Sequence, residues 1–303
     1  GHIVGNVAAI APELDHQLVM IPDFDDAAIG SLLMLDADQE AILTLGAVLP
    51  LDTAATSQPL LRSSPRDAGD DRPLLAVHRA GYLSGAESSP EFITLPAMPP
   101  GMTIPLPEER VDWGDKICET ILLRRSSREF TGGPIPLEEL TQLLRHAYAP
   151  RLREQGPDSS ASFAVLPLLR TWLIVNNITG LEGGVYAFDP IDWTLVQVRA
   201  GSFRKDCHQV TLGQDLGEKA SCIVVHTADL DAATNALGDR AYRHLSLDAG
   251  QIGERLNLAA SRLGLGVSGI GGYFDDLVCD LLGVPHEEAV VYLTCLGQPP
   301  QEF

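Results

Sequence analysis

Residues 121–148 read "ILLRRSSREFTGGPIPLEELTQLLRHAY", and the way this stretch is read decides the fold. Its second half carries Leu137, Leu140, Leu144 and Tyr148 at helical spacing. Prolines come just before, and Glu138 and Glu139 fall in the first turn, where acids suit the dipole. Its first half ends another helical pattern, "WGDKICETILLRR". Between the two helices Arg124, Arg125 and Arg128 crowd into five positions of a chain whose formal net charge is -20. Like charges this close repel one another unless an anion lies among them. Two accounts are open. Cations at a helix C-terminus offset the macrodipole and bond the last carbonyls. Arginine forks interleaved with the hydroxyls of Ser126 and Ser127 also make a cage for a phosphate dianion.

The 303 residues suffice for one large domain or two modest ones. The net negative charge argues against a nucleic-acid partner, which needs a broad basic face. No apolar run reaches the length of a membrane span, and "GHIVGNV" has no basic stretch ahead of an apolar one, so a cytoplasmic protein is expected. The five cysteines are scattered without a C-x-x-C pair and read as small buried hydrophobes. The histidines show no ligand spacing, so no metal is expected.

Three zones follow along the chain. Residues 1–85 hold a helical pattern, "DDAAIGSLLMLDADQEAILTLGAVL", and a strand-like "LLAVHRAGYL", suggesting a small N-terminal domain of winged-helix-like type. Residues 86–112 contain six prolines and read as an extended linker or wrapping arm. Residues 113–303 mix helix and strand. "TWLIVNN", "CIVVHT" and "EAVVYLTCLG" are short buried strands. Leu245, Ala249, Ile252, Leu256, Ala259 and Leu263 form the apolar stripe of a long helix that stops at glycine. This zone is an α+β domain with a central mixed sheet flanked by helices. The letters "GLGVSG" at Gly264–Gly269 match a dinucleotide fingerprint, but that motif needs a strand before and a helix after. Here the order is reversed. A glycine-rich strand edge can still bring bare backbone close to a flat ligand.

The quoted stretch resembles the opening of the nitroreductase superfamily, in which an R-R-S-x-R-x-F segment precedes a proline-led helix. Further segments resemble its SagB/McbC-type branch: "LIVNNITGLEGGVYAFDPIDWTLVQVRAG", "LGQDLGEKASCIVVHTADL", "GDRAYRHLSLDAGQIGERLNLAASRLGLGVSGIGGYFDD" and "LGVPHEEAVVYLTCLGQP". The resemblance implies a homodimer with FMN at the subunit interface. It implies dehydrogenation of azolines (thiazoline or oxazoline to azole) in a modified peptide, in some systems beside a cyclodehydratase. Carried over by position, Arg124, Arg125, Ser126 and Arg128 would hold the FMN phosphate and ribityl chain. Ile270, Gly271 and Gly272 would line the isoalloxazine edge, and Ser162 would touch the flavin from a neighbouring loop, although Phe163 stands where glycine is expected. The branch's Lys-Tyr pair, which handles the proton, is replaced by Ala236 and Leu237. Its Gly-His appears as Gly250-Gln251. Tyr242, with His244 behind it, is then the catalytic candidate near Arg240 and Arg243. The departures keep two alternatives open, an NAD(P)H-dependent flavin reductase of nitroreductase type and a catalytically silent scaffold in a biosynthetic complex.

Overall fold

The computed structural model describes residues 1–36, 39–53, 73–83, 97–108, 110–114, 116–153 and 168–300. The chain opens with α1 (His2–Ile10), a 3-10 turn, β1 (His16–Met20), α2 (Asp26–Leu33), β2 (Gly46–Pro50) and α3 (Pro73–Ala80). After these come β3 (Met102–Pro105), α4 (Ile117–Leu123), β4 (Ile135–Pro136) and α5 (Leu137–Arg153). The middle of the chain forms β5 (Arg170–Val175), β6 (Ile178–Thr179), β7 (Gly184–Asp189), β8 (Thr194–Ala200), α6 (Arg204–Val210) and α7 (Asp215–Lys219). It closes with β9 (Cys222–Asp229), α8 (Leu230–Leu237), α9 (Ala241–Arg262), β10 (Gly266–Ile270), α10 (Asp275–Leu282) and β11 (Glu288–Gly297).

Seven strands form one sheet in the order β10-β11-β9-β5-β7-β8-β3. All six of its ladders are antiparallel, and among the described residues the parallel pairing lies outside it, in the separate two-stranded β4–β6 sheet. Both faces of the central strands are covered, so Cys222–Ala228 and Thr171–Val175 are buried without interruption. On one face α5, α8 and α9 bury Leu140, Leu144, Tyr148, Leu245, Ile252 and Leu256. On the other, α6 and α10 bury Cys207, Val210, Val278 and Leu282 beside Phe130. Four of the five cysteines are buried, and Cys118 is exposed. No helix among the described residues is long and apolar enough to cross a membrane.

The N-terminal residues differ from the pattern reading. The helix expected over 25–49 ends at Leu33, because Met34 turns left-handed (φ 56). Its last part, Gly46–Pro50, instead pairs antiparallel with β1. The strand-like 74–83 stretch is helical from Pro73, a residue whose fixed φ suits a first turn. Within the proline-rich 86–112 segment, Met102–Pro105 adds the far edge strand, beside β8, where Pro105 costs the ladder little. α1 lies against α9: a Cβ on Gly1 or Gly250 would strike the other's backbone. Asp25 caps α2 through the Ala28 N–H (2.8 Å), and Asp229 caps α8 through the Ala232 N–H (2.8 Å).

Candidate functional site

The three arginines take three different environments. Arg124 follows α4 directly, and its N–H bonds Thr120 O (2.9 Å). Arg125 folds back to donate to the carbonyls of Leu122 (3.1 Å) and Arg124 (2.8 Å), which is the helix-end role. The Arg124 guanidinium turns inward, with Nε 3.5 Å from Glu254 Oε1 and Nη1 3.4 Å from Asn257 Oδ1. Arg128 is exposed and has no carboxylate or carbonyl partner among the described residues.

The loop they share is stitched to the open edge of β10. Ser127 N donates to Val267 O (2.8 Å), and Val267 N donates back to Ser127 Oγ (3.0 Å). Phe130, 1% exposed, anchors the loop's end. A Cβ at Gly266 or Gly297 would come within 3.0 Å of its ring atoms, so both glycines are needed for that packing. A Cβ at Gly269 would overlap the Tyr292 hydroxyl, and Gly264 ends α9 at φ 72. The "GLGVSG" glycines therefore serve one turn and two ring contacts, with a helix before them and a strand after.

Four residues beyond Val267, β10 gives way to Gly271 and Gly272, about 13 Å along at ~3.3 Å per strand residue. Ile270 is buried, while Gly271 is exposed with nothing within 4 Å of where a Cβ would stand. Neither glycine N–H is bonded within the described residues. Around this open backbone lie half-exposed apolar groups. Leu212, in a left-handed turn at φ 59, places Cδ1 3.0 Å from the Cβ position of Gly272, and Phe274 is 50% exposed. Tyr273 donates to Val290 O (3.1 Å). Burial, with Asp275, Tyr242 and Tyr292 adding to it, pushes its phenol up to about 12, so it stays a donor at neutral pH.

The two catalytic candidates do not meet. Tyr242 is half exposed, near enough to Tyr273 to affect its titration, whereas His244 is buried with Nε2 3.4 Å from Asp23 Oδ1. Two positions apart on α9, they face about 200° apart. Burial lowers the His244 pKa, and the Asp23 hydrogen bond and charge oppose that shift. Arg240 and Arg243 belong to a buried cluster instead. Arg240 Nη1 lies 2.5 Å from Asp26 Oδ2, and Arg243 Nη1 lies 3.2 Å from Asp26 Oδ1. Arg240 also donates to Pro22 O and Gly81 O (3.1 Å each) and stacks 4.4 Å over Phe24. Leu237 is fully buried and Ala236 packs on the same core. Ser162 and Phe163 lie outside the described residues.

Helical spacing does not single out Glu254, because the apolar stripe of α9 dominates the pattern. Glu254 is 1% exposed and meets His2 Nδ1 at 2.6 Å as well as Arg124. His2 Nε2 and the Tyr292 hydroxyl are 2.9 Å apart, so α1, α9, β11 and the arginine loop converge here. The Tyr292 pKa is raised by burial first and then by the Glu254 charge, against a smaller opposing pull from Arg124. On α6 and α7, His208, Asp215 and Glu218 bring ligand atoms within 4.8 Å of one another, an exposed to half-exposed group that residue spacing did not reveal.

A family model of the nitroreductases matches residues 121–298, which is more than half of the chain and spans both the arginine loop and β10. The chain belongs to the nitroreductase family. Three proteins that bear the name "putative nitroreductase" are similar to it. One, from Methanocaldococcus jannaschii, is 27% identical over 169 residues, covering 56% of this chain and 85% of that one. A solved structure from Anabaena variabilis is 34% identical with a TM-score of 0.87, covering 98% of this chain. This nitroreductase-family chain spans only 63% of that protein's length. A second structure, from Ralstonia eutropha, shares the fold at 23% identity and a TM-score of 0.54, covering 71% of this chain and 99% of that one.

Proposed function

We propose that this chain is an FMN-dependent oxidoreductase whose flavin lies along the outer edge of β10. One observation carries the reading: the loop that bears the part-buried Arg124 and the exposed Arg128 is tied to β10 at Val267, about 13 Å along the chain from the exposed glycine backbone at Gly271. The residues fit the group. Gly271 has open space where a side chain would intrude, its N–H and that of Gly272 are unbonded among the described residues, and Arg128 has no competing partner there. Arg124 and Arg128 would bind the phosphate through charge-assisted bonds, and Ser126 would stand beside the ribityl chain. The Gly271 and Gly272 N–H groups would favour electron density on the ring edge, as fixed dipoles aimed at developing charge do. When bound, FMN supplies the capacity to accept or give up a hydride.

The substrate we favour is an azoline ring in a modified peptide, oxidised to the azole by loss of one hydride and one proton. The residues of 1–85, read as winged-helix-like, and the 86–112 arm would bind the peptide or a cyclodehydratase, and two copies would share the flavin at their interface. Tyr242, half exposed near Tyr273, would take the proton as its phenolate, directly or through water, and end as the phenol. Tyr242→Phe should then lower turnover about 100-fold with flavin content unchanged. A second reading, an NAD(P)H-dependent flavin reductase, is favoured by Leu237 and Ala236, which are packed in the core and can move no proton.

Two assays separate the readings. A thiazoline-containing peptide incubated in air should lose about two mass units per ring under the first, as expected for a hydride and a proton leaving. Rapid anaerobic bleaching of the flavin by NADPH, with no mass change in the peptide, would favour the second. Protein that takes up no FMN would leave the scaffold reading.

A further inference from the structure

We infer that Glu254 is a positioning residue that fixes the Arg124 guanidinium for flavin phosphate. The inference rests on the FMN reading above and extends it to a residue outside the arginine loop. Arg124 is three-quarters covered, and two of its nitrogens are already directed by α9: Nε toward Glu254 (3.5 Å) and Nη1 toward Asn257 (3.4 Å). Asn257 cannot turn its amide freely, because its Nδ2 donates to Gly253 O (2.7 Å), which leaves Oδ1 facing the arginine. A guanidinium carries five N–H donors in a rigid plane. Holding it by Nε and one Nη sets that plane, and Nη2 makes no hydrogen bond among the described residues.

Arg128 provides the contrast, being exposed, without a partner among the described residues and free to change rotamer. A long side chain ordered before the ligand arrives spends less entropy on binding than one ordered by it. Packing alone does not call for a carboxylate at 254. It is 1% exposed, with buried polar neighbours on the same helix at Gln251, Arg255 and Asn257, and a buried carboxylate persists only with its counter-charges in place. Its counter-charges are Arg124 and, from α1, the His2 ring at 2.6 Å when protonated.

The rival role is structural: Glu254 would only hold α1 onto α9. FMN and riboflavin differ by the phosphate, so they separate the two. Apoprotein is titrated with each flavin by fluorescence, for the wild type, Glu254→Gln, Glu254→Asp and Arg124→Ala. Glu254→Gln should weaken FMN binding about tenfold and leave riboflavin within about twofold, with Glu254→Asp falling between. Parallel losses for both flavins, or no loss for either, would overturn the positioning role. Arg124→Ala that leaves the ratio of FMN to riboflavin affinity unchanged would sink the phosphate assignment itself, a failure distinct from one confined to Glu254.

Discussion

Asp26→Ala would leave Arg240 and Arg243 without the carboxylate they share. Arg240 is fully buried, and burial lowers its pKa while the Asp26 charge is the largest effect holding it up. Asp26 also accepts the Leu83 N–H (2.9 Å), so the change orphans a buried backbone donor as well. Breaking a buried pair by removing one partner costs 3–5 kcal/mol, so the loss should be about 4 kcal/mol, a large share of the 5–15 kcal/mol of an ordinary domain. Urea unfolding followed by tryptophan fluorescence measures it. The side chains belong to segments 214 positions apart in sequence, so one transition, moved as a whole, is expected. The double replacement Asp26→Leu with Arg240→Met should cost less than the single change, because it leaves no charge stranded at 240. A loss below about 1 kcal/mol, or a second transition that alone responds, would refute the reasoning that this cluster ties the N-terminal segment to α9.

Four other outcomes are expected. His226 is fully buried, and burial lowers its pKa to about 4. The unfolded chain binds this proton at about 6.5, so stability is complete above that pH and falls as pH drops toward 4. By pH 5 the loss should be about 2 kcal/mol, and His226→Gln should flatten this dependence in denaturant titrations at several pH values. Gly269→Ala should lower the melting temperature, since its Cβ would overlap the Tyr292 hydroxyl. Gly271→Val should leave the melting temperature nearly unchanged while weakening flavin uptake, because its open space is where the ring edge would lie. Phe130→Ala should cost 3–5 kcal/mol in equilibrium unfolding and loosen the arginine loop, seen as faster amide exchange at Ser127.

The parts legible in the sequence were those with strong periodicity. α5 and α9 follow their apolar stripes closely, β5 and β9 overlap the runs "TWLIVNN" and "CIVVHT" while reaching one or two residues beyond them, and β11 coincides with "EAVVYLTCLG". The 25–49 pattern misled because helical spacing cannot foresee that Met34 will turn left-handed and free Gly46–Pro50 to pair with β1. In the site, residue type identified the arginine loop but not the division of labour within it. Ser127, not Ser126, ties the loop to β10, because that depends on an edge strand formed 140 residues later. Arg240 and Glu254 were unreadable for the same reason. Their partners Asp26, Arg124 and His2 are remote in sequence, and only the packing of the N-terminal segment and α4 on α9 brings them together.

The central claim is that Arg124 and Arg128 receive the phosphate of FMN. Equilibrium dialysis of FMN against the apoprotein and the Arg124→Ala, Arg128→Ala double variant tests it most directly. Two charge-assisted bonds of 1.5–3 kcal/mol each predict at least about a 100-fold loss of FMN affinity, with riboflavin binding little changed. FMN bound equally well by the double variant would contradict the account.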